Sequence, residues 1–171
     1  MLIVFGGLPG VGKSAIAAAV ARRLRATWLR IDVIDVAVTR ALDLPKEEDI
    51  GPVGYVVAYD LARANLALGL TVLGDSVNPI AETRDAWRAV AADAGAACLE
   101  VEVVCSDVAE HRRRVEGRLT DPAALCPPTW AEVEARRYEP WPQAQLRLDT
   151  AVLTVDSAAA AVCEAAARIT S

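Results

Sequence analysis

The sequence has little lysine, a single histidine and few aromatic residues. Lys13 and Lys46 are the only lysines in 171 residues, and Phe, Trp and Tyr together make up 5% of the chain. Although 54% of the residues are hydrophobic, no uninterrupted apolar stretch is long enough to span a membrane, so we expect no membrane partner. The net charge of −5 argues against a broad nucleic-acid-binding surface, which makes a nucleic-acid partner an unfavoured hypothesis.

Neither the cysteines nor the histidine show the spacing of a metal site. Four cysteines occur at positions 98, 105, 126 and 163 without a C-x-x-C pair, and we expect them to be reduced thiols. His111 has no partner at ligand spacing and precedes three arginines, so we interpret it as an exposed helical residue. No basic segment of a signal peptide precedes the first predicted strand, which favours a cytoplasmic location.

A glycine-rich segment near the start of the chain carries the strongest functional pattern. Gly7–Ser14 fits G-x-x-x-x-G-K-[ST], the phosphate-binding P-loop, without a mismatch. The apolar run Leu2–Phe5 before it predicts a buried strand, and the alanine-rich Ala15–Leu24 after it predicts a helix. Strand, glycine loop and helix therefore follow one another in the order that the motif requires.

The chemistry of phosphate binding explains these residue types. Glycines let the backbone turn tightly and direct several N–H groups into a concavity, and the following helix adds its positive end. Lys13 can reach the β- and γ-phosphates of a nucleotide, and the Ser14 hydroxyl can bind Mg²⁺. The candidate nucleotide-binding residues of the loop are Gly7, Gly10, Val11, Gly12, Lys13, Ser14 and Ala15.

Two aspartates follow the second predicted strand. Thr27–Ile31 reads as that strand, and a helix is predicted through Val33–Leu42. Ligands of open α/β sheets bind at the carboxyl ends of the strands, so Asp32 could accept the proton of an attacking hydroxyl. The alternative is that Asp32 only caps the helix. Asp35 lies three residues further on, at a neighbouring position of the same helix.

The next helix and strand supply further candidates. A helix is predicted over Val53–Leu68, and Tyr55, Tyr59 and Arg63 share one of its faces. These side chains could simply pack against the core, or they could line the substrate site. The strand Leu70–Leu73 leads to Asp75, and a carboxylate in this position can help to hold Mg²⁺. A polar loop with Asn78 then leads into a helix over Ala81–Ala94 that contains Arg84, and Ala97–Cys105 is the fourth predicted strand.

The last third of the chain combines arginines with a segment rich in proline. The spacing predicts a helix over Asp107–Arg118, a mobile lid at Leu119–Pro128, and a return helix that begins near Thr129 and contains residues 136–138. Arg114 and Arg118 share one helical face, and Arg118 could neutralise charge on a transferring phosphoryl group, or the arginines could form a solvated surface.

The closing segments complete an alternation of strands and helices. Gln145–Asp149 is the predicted fifth strand, with Val152–Val155 as its competitor. A final helix is predicted over Ala158–Ile169, with Asp156 or Ser157 as its N-cap. The alternation predicts one α/β domain over residues 1–171, with a parallel sheet covered by helices on both faces.

With these segments together, the chain resembles small P-loop kinases of the adenylate-kinase-like group. It is similar to bacterial ATP-binding kinases related to chloramphenicol phosphotransferase, to the zeta toxins and to the kinase domain of phage polynucleotide kinase. The resemblance implies a three-layer α/β/α fold with a five-stranded parallel sheet in the order 2-3-1-4-5, a helical lid over about residues 112–138, and ATP and Mg²⁺ as cofactors.

The resemblance also implies individual roles. Asp32 would be the general base, and Asp75 the acidic residue after the third strand that holds Mg²⁺. Asn78 and Arg84 would belong to the loop on the substrate side. Arg114 would stack on adenine, and Arg118 would contact the phosphates.

One position departs from the resemblance. Kinases similar to polynucleotide kinase carry an arginine three residues after the catalytic aspartate, where this chain has Asp35. Asp32, Asp35 and Asp60 would give an acceptor pocket a negative potential, which disfavours a phosphorylated acceptor. Tyr55, Tyr59, Asn78 and Arg84 are the remaining candidates for contacts with the acceptor.

The sequence therefore predicts a Mg²⁺–ATP-dependent kinase acting on a hydroxyl of a small molecule, as a monomer or homodimer. ATP is preferred over GTP because of the resemblance and because no guanine-reading N-K-x-D motif occurs. One alternative is a nucleotide-gated regulatory or assembly ATPase or GTPase without a small-molecule acceptor. The other is a toxin-type or polynucleotide 5′-end kinase.

Overall fold

Five parallel strands form the central sheet. The computed structural model describes residues 1–45, 48–117 and 127–170. In chain order the elements are β1 (Leu2–Gly6), α1 (Lys13–Leu24), β2 (Thr27–Arg30), α2 (Ile31–Ala41), α3 (Val53–Ala67), β3 (Val72–Asp75), α4 (Ala81–Asp93), β4 (Cys98–Val104), α5 (Val108–Glu116), α6 (Trp130–Ala135), β5 (Leu146–Asp149) and α7 (Val155–Thr170). The strand order is β2-β3-β1-β4-β5 with parallel pairing throughout, which confirms the predicted fold class and strand order.

Helices cover both faces of the sheet, because the central strand β1 is buried and apolar on both sides. Ile3 and Phe5 pack into a core with α1 and α7. Leu2 and Val4 point to the opposite face, as alternate residues of a strand do, and pack with α3 and α4. Trp87 of α4 is fully buried in this second core. The three-layer arrangement therefore follows from an uninterrupted apolar β1.

The register aligns the carboxyl ends of three strands. Asp75 of β3 lies opposite Phe5 of β1 and opposite Arg30 of β2. The loop after β1, the start of α2 and the loop after β3 consequently open at the same edge of the sheet. This is the edge where an open α/β sheet binds its ligands.

Several element boundaries differ from those predicted. The strand β3 begins at Val72 and ends on Asp75, so the aspartate belongs to the sheet instead of following it. The helix α6 begins after Thr129, whose side chain and that of Glu132 form a capping box, but it ends at Ala135 and excludes residues 136–138. Residues 118–126 lie outside the described residues. They include most of the mobile lid predicted at Leu119–Pro128.

The last helix also starts earlier than predicted. It begins at Val155, and the Thr154 hydroxyl accepts a hydrogen bond from the Ser157 amide at 3.1 Å. The cap predicted at Asp156 or Ser157 is therefore wrong, since both residues lie inside the first turn. The competing strand at Val152–Val155 is also wrong, because these residues form a turn, a short extended link and the start of α7.

No helix in the three described ranges is long and apolar enough to cross a membrane.

A buried arginine joins α4 to the chain that precedes β5. Arg84 is 2% exposed. Its guanidinium donates to the carbonyls of Asn78 at 2.9 Å and Pro79 at 3.3 Å, and to those of Glu139 and Pro140 at 2.8 Å each. One side chain thus satisfies carbonyls of two irregular segments that are far apart in sequence.

The aromatic rings of Tyr138 and Trp141 enclose the same guanidinium. Its Cζ atom lies 5.1 Å from the Tyr138 ring centroid and 4.7 Å from that of Trp141. Both distances are within the range of cation–π attraction. Arg84 therefore stabilises the packing of residues 138–141 against the loop after β3.

We expect Arg84→Ala to lower the free energy of unfolding by about 3 to 5 kcal/mol, because four backbone carbonyls lose charged donors and a cavity opens. Arg84→Lys should retain little of this stability, since an ammonium cannot reproduce a planar fork of donors. Urea denaturation of both variants measures the loss. Arg112→Ala, which removes an exposed arginine paired with Glu116, is the control and should change stability by less than about 1 kcal/mol. An Arg84→Ala change as small as that of the control would contradict the assignment.

Candidate active site

The phosphate loop predicted from the sequence connects β1 to the first turn of α1. Lys13 is the first residue of α1 and is only 7% exposed. No acidic side chain occupies the first turn of this helix. The amides at a helix N-terminus lack intrahelical partners, and here no carboxylate competes for them. The loop and helix therefore provide a binding site suited to an anion.

Gly10 is required where the loop meets α5. Its φ of +86° is in the left-handed region that favours glycine. A Cβ atom added there would lie 2.4 Å from Cγ2 of Val115. The absence of a side chain thus lets α5 pack directly against the loop, which fixes the position of one side of the anion site.

Asp75 lies beneath the loop, almost completely buried at 3% exposure. Burial raises the pKa of Asp75, while the Lys13 ammonium and the Ser14 hydroxyl lower it. The Trp28 indole donates to Oδ2 at 3.3 Å, and the Arg30 Nε lies 4.0 Å from the same oxygen. Lys13, Ser14 and Asp75 are therefore close together where the P-loop pattern predicts a metal–phosphate site.

The residues at this position fit Mg²⁺. The second carboxylate oxygen of Asp75, Oδ1, is buried and accepts no hydrogen bond from the part of the chain that the structure describes. Carboxylate and hydroxyl oxygens are the protein ligands that Mg²⁺ prefers, and the ion keeps waters and phosphates as its other ligands. Within the described ranges no cluster of three or more His, Cys, Asp or Glu could hold a metal. Ser14 and Asp75 therefore remain the residues that would hold Mg²⁺ together with a nucleotide.

Asp32 and Asp35 lie on α2 beside this metal–phosphate site. Asp32 is exposed in the first turn of α2, and the helix N-cap is Arg30, so the structure does not use the Asp32 side chain as a cap. Burial raises the pKa of Asp35, the Asp32 carboxylate raises it further, and the Gly54 backbone amide lowers it. A Cβ atom on Gly54 would lie 2.1 Å from Asp35 Oδ1, so α3 approaches this carboxylate closely.

Tyr55 completes the group on the α3 side. Its hydroxyl accepts a hydrogen bond from the Asn78 amide at 3.3 Å. Burial raises the pKa of Tyr55, and the Asp32 and Asp35 carboxylates contribute in the same direction. The phenol is therefore a neutral donor at the edge of the acidic pair.

Other candidates for acceptor contacts have structural partners instead. Tyr59 donates to the Thr83 carbonyl at 3.1 Å and packs edge-on against Trp87. The Asn78 side chain is fully buried, donating to the Phe5 carbonyl at 2.9 Å and accepting from the Trp87 indole at 3.2 Å. We therefore leave the side chains of Tyr59, Asn78 and the buried Arg84 out of the acceptor site. Asp60 lies on the exposed side of α3, where it pairs with Arg63 at 2.8 Å.

The arginine predicted to contact adenine lies beside the phosphate loop. The Arg114 Nε donates to Glu110 at 2.7 Å, and the guanidinium also donates to the hydroxyl of Thr150 at 2.8 Å and to its carbonyl at 3.1 Å. Its Nη1 is 4.0 Å from the Cβ position of Gly12. This location is compatible with a nucleotide contact. Arg118 lies outside the described residues.

The prediction that His111 is exposed is wrong, since it is only 6% exposed. Its ring lies edge-on to Trp130, with 5.1 Å between centroids, and its Nε2 lies 2.8 Å from the Pro9 carbonyl. His111 and Val115 are four residues apart and both buried, so they mark the inner face of α5. That spacing was the available sequence signal, and the neighbouring arginines obscured it.

Comparison with known proteins identifies relatives of this fold. A family model described as an AAA domain matches residues 2–140, and no curated protein sequence matches. The solved structure of the APS kinase CysC of Mycobacterium tuberculosis in complex with AMPPNP and APS is 24% identical, with a TM-score of 0.66 and 95% of each chain covered. A gluconokinase from Sinorhizobium meliloti 1021 is 17% identical, with a TM-score of 0.66, 98% of this chain and 94% of that chain covered.

A third structure is Kti12 of Chaetomium thermophilum in complex with ADP-AlF3. It is 19% identical, with a TM-score of 0.72 and 100% of each chain covered. At these identities the similarity shows the fold alone, which this chain shares with the three structures.

Proposed function

The chain belongs to the family described as an AAA domain, and from this premise we propose that it is a Mg²⁺–ATP-dependent phosphotransferase. It transfers the γ-phosphoryl group to a hydroxyl of a small, non-phosphorylated molecule. One observation carries the proposal: at the carboxyl edge of the sheet, Asp75 lies opposite Arg30, two residues before the exposed Asp32. The Lys13 ammonium and the Asp32 carboxylate both influence the pKa of Asp75. This arrangement supports a phosphate site with a candidate base for a hydroxyl beside it.

In the proposed reaction each residue has a limited task. Lys13 and the loop amides bind the β- and γ-phosphates. Asp32 accepts the hydroxyl proton while the acceptor oxygen bonds to the γ-phosphorus and the bond to the leaving ADP oxygen breaks. When bound, Mg²⁺ neutralises charge on the phosphates. Most of the catalysis in such a site is positioning and electrostatic stabilisation.

The acceptor class follows from the charge beside Asp32. Asp35 brings a second carboxylate to the same end of α2, and among the described residues neither carboxylate makes an ion pair. Two carboxylates would repel a phosphorylated acceptor. A neutral or amine-bearing alcohol, such as a hydroxylated antibiotic or metabolite, fits this potential.

A transfer assay with ³¹P detection tests the proposed acceptor class. The panel contains neutral alcohols, amino alcohols, sugars, hydroxylated antibiotics, nucleosides, nucleotides and oligonucleotides. We expect product only from acceptors without a phosphate. Reaction of phosphorylated acceptors alone would contradict the charge argument, even if ATP binds.

Asp35→Asn is expected to raise the melting temperature near neutral pH and to leave it unchanged at low pH. Burial and Asp32 raise the pKa of Asp35 above the ordinary 3.8, so the folded state binds this proton more tightly than the unfolded state. The free energy of unfolding therefore falls as pH rises above that value, and an amide removes the dependence. Scanning calorimetry at about pH 3 and about pH 8 measures the difference.

Asp43→Asn, in the turn after α2, is the control for this experiment because Asp43 has a positive φ of 52° that asparagine tolerates. It should behave like the wild type at both pH values. A lower melting temperature of Asp35→Asn at the higher pH would show that the charged carboxylate stabilises the fold, contrary to the expectation.

The similarity to Kti12 is compatible with a second candidate function. Its structure, in complex with ADP-AlF3, matches 100% of this chain and 100% of that chain. A nucleotide-gated regulatory factor would hydrolyse ATP slowly without an acceptor and would respond to a protein partner. A transfer assay that yields only inorganic phosphate, at a rate independent of every acceptor in the panel, would favour this function.

A further inference from the structure

Two carbonyl groups of the phosphate loop are held by side chains from other elements. The Pro9 carbonyl lies 2.8 Å from His111 Nε2, and since a carbonyl only accepts, Nε2 carries the hydrogen. The Val11 carbonyl accepts from the Thr150 hydroxyl, also at 2.8 Å. His111 belongs to α5 and Thr150 follows β5, so elements more than 100 residues away in sequence restrain the loop.

Peptide geometry links these two carbonyls to the next amides along the chain. The structure contains no cis peptide bond in its described part. In a trans peptide unit the C=O and N–H bonds point in opposite directions. Drawing the Pro9 carbonyl towards His111 turns the Gly10 amide away from α5, and drawing the Val11 carbonyl towards Thr150 turns the Gly12 amide away from the β5 side.

Further contacts fix both donors in place. The His111 ring is 6% exposed and lies edge-on to Trp130 of α6, so its orientation is restricted. The Thr150 hydroxyl accepts a hydrogen bond from Arg114 at 2.8 Å. This leaves its own hydrogen for a carbonyl, and Val11 is a closer acceptor than Val104, which is 3.2 Å away.

We infer that His111 and Thr150 are positioning residues of the phosphate loop, which hold two carbonyls outward so that the amides of Gly10 and Gly12 face the phosphates. The inference rests on the nucleotide binding in the proposed function. Both side chains hydrogen-bond to the loop backbone. Their other contacts are with Trp130, Arg114 and Val104. Because these contacts do not include the Asp32 and Asp35 carboxylates, we expect an effect on nucleotide affinity and not on the acceptor. Without these two side chains, the peptide units of the nucleotide-free loop can rotate. Part of the binding free energy is then spent on ordering the peptide units.

The test compares variants that remove each donor with variants that keep one. His111→Phe retains an aromatic ring against Trp130 and removes the donor, and Thr150→Val retains the shape of threonine and removes the hydroxyl. We expect each to weaken ADP binding about tenfold in calorimetry, which corresponds to about 1.4 kcal/mol. His111→Gln and Thr150→Ser, which keep a donor, should bind within about threefold of the wild type.

Thr83→Val is the matched control, because the Thr83 hydroxyl also donates to a backbone carbonyl, that of Ile80 at 2.9 Å, but on α4. It should leave ADP affinity unchanged. Nitrogen-15 NMR spectra give a second readout, in which ADP should shift the Gly10 and Gly12 amides less in the donor-free variants.

The possible outcomes separate the two proposals. Wild-type affinity in both His111→Phe and Thr150→Val would overturn the positioning roles while leaving the proposed function intact. Equal weakening by the donor-free and donor-retaining variants would also overturn them, since it would show that packing alone matters. A wild-type protein that does not bind ADP or ATP would overturn the proposed function itself, and the positioning roles with it.

Discussion

Asp32→Asn is expected to lower the rate of phosphoryl transfer about 10³-fold while changing ATP affinity less than about threefold. Asparagine has nearly the same shape as aspartate but cannot accept the proton of the attacking hydroxyl. Asp32 is exposed beside the phosphate site and has no role as a helix cap, so its removal should leave the fold intact. Single-turnover transfer and calorimetric ATP titration measure the two effects separately.

Asp93→Asn is the control for this prediction. Asp93 is the last residue of α4 and is 3.7 Å from Arg63, with 65% of its side chain exposed. It should transfer phosphate at the wild-type rate. Unchanged turnover in Asp32→Asn would remove this residue from the mechanism, and a parallel loss of ATP affinity would indicate a binding role instead of proton transfer.

Lys13→Met is expected to reduce kcat/KM for ATP about 10³-fold, with most of the loss already present in the affinity for ATP. Lys13 is buried at the start of α1, and its ammonium lowers the pKa of Asp75. Methionine fills a similar volume without charge, so the phosphates lose their cationic partner. Calorimetry and steady-state transfer at increasing ATP concentration give the two values.

Arg22→Met provides a control on the same helix, because it removes a positive charge from the exposed face of α1. We expect kcat/KM for ATP to remain within about threefold of the wild type. If Lys13→Met retained the wild-type affinity for ATP, the loop would not bind phosphate through this lysine.

The fold could be predicted because local patterns and topology agree. A buried strand, a glycine loop and an amphipathic helix follow one another in the first 24 residues, and parallel strands then need crossover helices. The phosphate loop is equally local, since its residues are consecutive. Asp32 and Asp75 could be assigned to the same edge of the sheet because each stands at the carboxyl end of a strand.

The residues whose environment differed from prediction are those whose partners are distant in sequence. Arg84 and Asn78 are polar and close to a predicted substrate loop, yet they are buried against irregular backbone, where Arg84 bonds residues 55 and 56 positions away. His111 lies 102 residues from the carbonyl that it contacts. For Arg84 and Asn78, nothing in the local sequence distinguishes a buried donor that satisfies a carbonyl from an exposed one that awaits a ligand. For His111 the spacing to Val115 was the one local signal.

The most direct test of the nucleotide site is calorimetric titration of the wild-type protein with Mg²⁺–ATP at two temperatures. The second temperature is needed because binding gives no heat at a temperature where its enthalpy is zero. We predict one site per chain with a dissociation constant between about 1 μM and 1 mM, and its loss in Lys13→Met. No heat from the wild-type protein at either temperature would contradict the binding of a nucleotide by this loop.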